Sequence, residues 1–179
     1  MPLTMMDVID SAVKIGLGAA ISAFASYKTN KSNHLNEKDK EVRAHKIKTI
    51  EMVAEKCEHF INCYLNFRNR LAGILRKRST DDEFLLPQPL IESLQEIDKD
   101  LFSALESVNT ARARLSLMRA TQAQAELSRM ISLLSRIRNP IMQEHRAPSQ
   151  SAFDKFTQEM SDAINHFHEE LAKLYEGIT

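Results

Sequence analysis

The chain has 179 residues, 43% of them apolar and 27% charged, with 24 basic residues against 24 acidic ones and a formal net charge of zero. That composition excludes a largely disordered chain, and the zero net charge excludes the global field by which a strongly basic protein gathers nucleic acid. Four Gly, five Pro and no Trp, with Ala, Leu, Arg, Glu, Gln and Met frequent, exclude a turn-rich β fold and predict an all-α chain.

In chain order the first element is an apolar helix over residues 1–28. Thr4 with Asp7 matches a helix-starting cap, and Ile15 to Tyr27 gives thirteen consecutive uncharged residues. A spanning helix needs about 20 apolar residues, and extension back to Met5 takes in Asp7, Asp10 and Lys14. Small residues recur every fourth position, at Ala12, Gly16 and Ala20 and at Gly18, Ser22 and Ser26. Rows of that kind let helices approach closely in lipid. Ala12, Ile15, Gly16, Leu17, Gly18, Ala20, Ile21, Ser22 and Phe24 therefore form the expected membrane or self-association helix. Lys28, Lys31, Lys38, Lys40 and Arg43 form its basic flank, which favours a cytoplasmic body behind the anchor. The polar segment 29–36 reads as a linker, and residues 37–179 as a helical bundle.

From Glu37 to Arg78 nothing breaks a helix, which would be ~63 Å long at 1.5 Å per residue. Ile47, Ile50, Ala54, Cys57, Ile61, Tyr64, Leu71 and Leu75 recur at spacings of three and four, and Val53, Phe60, Phe67 and Ile74 widen the stripe into a bundle-facing surface. Cys57 and Cys63 point in different directions on one helix and cannot bridge each other; a reduced, cytosolic chain is expected. Ser79 to Pro89 is a loop, with Phe84, Leu85 and Leu86 expected to tuck under the helices, an exposed hook being the alternative.

A further helix is predicted from Pro89 to Arg119, on the stripe Leu94, Ile97, Leu101, Ala104, Val108, Ala111, Leu115 and Met118. A phase slip then predicts a turn near Ala120, with Thr121 and Gln124 capping the next helix. Asn139-Pro140 reads as the start of a short helix. Ser151 and Asp154 are expected to cap the last one, whose stripe runs from Phe153 to Leu174. The sum is an antiparallel bundle of three to four main helices with a long second helix. This arrangement is met in many small bacterial and phage-encoded proteins, a likeness that transfers no functional residue.

Chemistry is thinly signalled. No phosphate-cradling glycine loop and no HExxH occur in the sequence. Glu55, His59 and Cys63, spaced by four, share a helix face and are the weak candidates for a metal site. His166 beside Glu169 and Glu170 reads as a surface ion pair. Charges are segregated, with seven arginines between Arg112 and Arg146, expected to pair with acidic helices; without aromatic platforms, nucleic-acid binding is not expected. The sequence thus predicts a non-enzymatic interaction protein with no cofactor, self-associating or membrane-associated through its first helix. A soluble adaptor, a metal-binding bundle and a membrane-acting effector are the alternatives.

Overall fold

The computed structural model describes the backbone of residues 5–78 and 80–178 and the side chains of residues 37–78 and 80–178. The described residues are all-α, with four helices: α1 (Met5–Leu75), α2 (Gln88–Leu117), α3 (Thr121–Glu144) and α4 (Gln150–Glu176). Two compact units divide the chain, Met1–His45 and Lys46–Thr179.

α1 runs unbroken through residues 29–36, where a polar linker and a separate first helix were expected. The physical reason lies in what that segment lacks. It holds neither Pro nor Gly, and its Ser, Asn, Thr and His residues each cost only a few tenths of a kcal/mol relative to Ala, too little to stop a helix propagating from both sides.

Within the second unit, α1 contributes one apolar face. Val53, Cys57, Phe60, Phe67 and Leu71 are all fully buried, at 0% exposure. With Tyr64, 2% exposed, between Phe60 and Phe67, their spacing alternates between four and three, so Val53, Phe60 and Phe67, expected to widen the stripe, lie at its centre, whereas Ile47 and Ala54 lie half-buried at its edges. Tyr64 of this face meets Phe156 of α4 edge to face, with ring centroids 5.9 Å apart, a geometry that adds about 1 kcal/mol to simple burial. α3 packs on both α2 and α4. Leu94, Leu101, Val108 and Leu115 of α2, Leu127, Met130 and Leu134 of α3, and Met160 and Phe167 of α4 complete one continuous apolar core.

The turn near Ala120 is present, but it closes by another device than the expected Thr121–Gln124 box. The Ala120 N–H donates to the Leu115 carbonyl at 2.9 Å and the Arg119 N–H to that of Ser116 at 3.0 Å. These two bonds make the C-terminal motif that normally carries glycine; here Arg119 takes the left-handed conformation, at φ 58°. Ala120, without a side-chain cap, precedes α3. Pro140 does not begin a new helix; it sits inside α3. Lying near the helix end, its missing N–H removes one bond without unravelling a long downstream segment. The cap of α4 lies two residues before the expected Ser151, with the Ser149 hydroxyl accepting from the Ala152 N–H at 3.2 Å.

Two short strands are new relative to the sequence expectation. β1 (Phe84–Leu85), from the α1–α2 connection, pairs antiparallel with β2 (Arg146–Ala147), from the α3–α4 connection, in the register Phe84↔Ala147 and Leu85↔Arg146. Strands of two residues are too short to show an alternating pattern in sequence. The Leu86 N–H extends the bridge, donating to the His145 carbonyl at 2.8 Å. Residues 81–87 thus form a strap that ties both connections together at one end of the helices.

Candidate docking groove

Among the described residues no three His, Cys, Asp or Glu side chains converge to hold a metal ion. Glu55 and His59 are exposed, Cys63 is buried, and the Glu55–His59 edge opens toward Ser107 and Lys56 rather than toward further ligands. His168, not His166, makes the cross-helix contact, its Nε2 lying 2.9 Å from Oε1 of Glu58. Both cysteines are free. Burial, with the charge of Glu58 adding to it, pushes the Cys57 thiol up to about 12. Burial and then Asp100 raise Cys63 as well. Both shifts keep the sulfur in its unreactive thiol form at neutral pH.

The N-terminal site residues Ala12, Ile15, Gly16, Leu17, Gly18, Ala20, Ile21, Ser22 and Phe24, with Lys28 and Lys31, lie outside the residues whose side chains are described. Lys38, Lys40 and Arg43 are exposed. Among the described residues no helix is long and apolar enough to cross a membrane.

The arginines divide. Arg138 forms a two-armed bridge to Asp98, Nε to Oδ1 and Nη2 to Oδ2, both at 2.6 Å. Arg136 reaches Glu159 at 3.6 Å and Arg146 reaches Glu83 at 3.5 Å, so these three follow the expected pairing of opposite charges. No ion pair of the described residues uses Arg112, Arg114 or Arg119, and Arg114 Nε is buried without a hydrogen-bond partner.

Two clefts flank the strap, and their electrostatics differ. The first, of about 360 Å³, is walled by α3, β2 and α4. It carries both signs, and its charges neutralise one another: Arg146 with Glu83, and Arg136 and Lys155 with Glu159. The second, of about 430 Å³, lies between the end of α1, the strap and the start of α2. Arg70, Lys77 and Arg78 line it together with Ile74, Phe84, Leu85 and Leu90, and no acidic residue does.

The local sequence explains this one-signed lining. Arg70, Gly73 and Ile74 recur at spacings of three and four, so they share one strip of the surface of α1, and Lys77, in the turn just past its end, follows them, its N–H donating to the Ile74 carbonyl at 3.4 Å. Gly73 leaves the floor open, since a Cβ built there would meet no atom within 4 Å. The strap sorts its side chains by direction. Asp81 Oδ1 accepts from the Ser151 N–H at 3.0 Å and Glu83 pairs with Arg146, which commits two of the three strap acids to the side away from the groove. Phe84 lies on the groove side beneath the Arg78 guanidinium, whose Cζ is 3.8 Å from the ring centroid, a cation–π contact. Leu86 tucks into the core at 5% exposure whereas Leu85 stands out at 71%, so tuck and hook are both realised, one residue apart. Arg70 and Lys77 take part in no ion pair of the described residues.

Arg70, Gly73 and Lys77 were not singled out in the sequence. The available signal was two cations seven apart with a glycine between them on the same face. No protein-family model, curated protein or solved structure matches the chain.

Proposed function

We propose that this chain is a non-enzymatic interaction protein, in which a helical unit displays a docking surface and the N-terminal apolar helix holds the molecule at a membrane or to sister chains. The observation that carries the reading is the groove beside the strap: unpaired cations and an exposed Leu85 around an open floor are what a recognition surface requires. The cytoplasmic side, the self-association and the membrane contact rest on the sequence pattern of Ala12 to Ser26 and its basic flank.

The same reading takes the helical unit as an antiparallel four-helix bundle. Contacts between three pairs of helices support it. Glu58 meets His168 and Tyr64 meets Phe156, so numbers fall along α4 as they rise along α1. Asp98 of α2 holds Arg138 of α3 and Arg136 of α3 meets Glu159 of α4, each pair joining helices linked by a short connection.

Fractionation tests the reading. The full chain is expected in the membrane pellet, resisting both a high-salt and an alkaline wash, or in solution as an oligomer at micromolar concentration. A full chain that stays in the supernatant as a monomer overturns it in favour of a soluble adaptor with its first helix buried in its own fold.

A further inference from the structure

We propose that the groove formed by Arg70 and Gly73 of α1 and Lys77 just past its end, with Leu85 and Leu90, receives an acidic amphipathic peptide segment of a partner protein. One apolar side chain of that segment sits over Gly73 against Leu85 and Leu90, and its carboxylates lie on Arg70 and Lys77. The inference rests on the interaction-protein reading and names the partner chemistry of its docking surface.

Charge complementarity selects the occupant. The groove presents three cations and no acid, and among the described residues only Arg78 of the three has a side-chain partner, lying over Phe84 with its Nη2 3.3 Å from the Thr80 hydroxyl oxygen. A bound carboxylate therefore displaces no internal partner of Arg70 or Lys77. The cleft across the strap offers the control, because its cations already hold Glu83 and Glu159. Shape selects a peptide over a lipid surface. Asp82 is exposed on the strap three residues before Leu85, so a broad anionic plane resting on Leu85 would meet that acid, whereas a narrow segment along the groove meets cations alone. The volume of about 430 Å³ suits a few side chains rather than a second folded domain.

The test uses the full chain and three short fluorescein-labelled helical peptides that share one stripe of Leu and Phe and differ in their polar positions: Glu and Asp, Gln, or Lys. Fluorescence anisotropy should show the acidic peptide binding about tenfold or more tightly than the Gln peptide, with the advantage shrinking as salt rises. Gly73→Leu should abolish binding by filling the floor. It also replaces the poorest helix former short of proline by a good one, so the protein should remain folded, which circular dichroism checks. Arg70→Glu with Lys77→Glu should cost about tenfold, and Arg136→Glu, across the strap, should cost nothing.

Equal binding of the acidic and Gln peptides overturns the proposal, as does full binding by the folded Gly73→Leu protein. Displacement of the acidic peptide from Arg70 and Lys77 by phosphatidylserine–phosphatidylcholine vesicles would give the groove to a lipid surface instead. Loss of self-association in the Arg70→Glu, Lys77→Glu protein would give it to a second copy of the chain. Each of these results leaves fractionation of the parent chain unchanged, so failure of this occupant is distinguishable from failure of the interaction-protein reading.

Discussion

The strapped end of the helical unit and its turn end solve the same problem by different physics. At the turn end three residues join α2 to α3, and the chain closes on itself: two backbone bonds, a buried Ala120 beside a buried Leu115, and no strap. At the strapped end the connections are twelve and five residues long. They are held by contacts distant in sequence: β1 on β2, Leu86 on His145, Asp81 on Ser151. A short connection loses little entropy on closing, whereas a longer one must be ordered by added bonds. The lesson is where recognition can arise. The cross-links that order the strap also sort its side chains, Asp81 and Glu83 to one side and Phe84 and Leu85 to the other, and that sorting makes the groove. At the turn end Leu117 is 86% exposed, and it lines neither of the two clefts beside the strap.

The sharpest way to break the comparison is to remove the ion pair that joins α2 and α3 nearer the strapped end. Asp98 and Arg138 are only 12% and 20% exposed in their side chains. Asp98→Ala leaves a guanidinium largely out of water with no carboxylate, and should cost about 3 kcal/mol, read as a lower midpoint in urea. Replacing both partners, Asp98→Leu with Arg138→Met, should cost less than either single change to alanine, because no unpaired charge remains. If the double substitution is as harmful as the single, the pair contributes net attraction rather than merely satisfying itself.

At the turn end the expected change has the opposite sign. Arg119 holds φ 58°, a conformation that costs an L-residue about 1 kcal/mol and a glycine almost nothing. Arg119→Gly should therefore raise stability by roughly 0.5–1 kcal/mol, after allowing for the greater freedom of glycine in the unfolded chain. Leu117→Ser, on a side chain that packs on almost nothing, should move the urea midpoint by no more than about 0.5 kcal/mol of stability. A destabilised Arg119→Gly protein would mean that the arginine side chain holds the turn.

The helices and their core faces were legible in the sequence because burial along a helix repeats every three or four residues. Val53 to Leu71, Leu94 to Leu115 and Phe153 to Leu171 all declare themselves in that way. What the periodicity could not show was continuity without a core. Residues 29–36 look like a linker because they have no apolar stripe, yet α1 crosses them. Pro140 misled for a related reason: proline marks a helix start or a helix near its end equally well, and only the packing of Ile141 into the core decides. The groove was illegible because it joins α1 to a strap whose position depends on a strand partner some 60 residues away, and no local pattern encodes that pairing. Of the three acids of the strap, Asp81 and Glu83 have partners on the α3–α4 side.

The smallest effect concerns one of those acids. The Ser151 backbone N–H, then the Ser151 side chain, holds the Asp81 carboxyl below its ordinary 3.8. A group whose folded value is depressed contributes stability above its unfolded value and loses it as pH falls through the folded one. The parent chain should thus surrender the Asp81 contribution below pH 3.8, and Asp81→Ala should lack it at every pH. The difference between the two proteins, followed by thermal unfolding across that range, should be small because Asp81 is exposed, and should narrow on acidification. A difference that stays constant would assign the effect to the shape of the strap rather than to its charge. No difference at all would leave β1 on β2 and Leu86 on His145 as the contacts that hold the strap, and the groove should then keep its form in the Asp81→Ala protein.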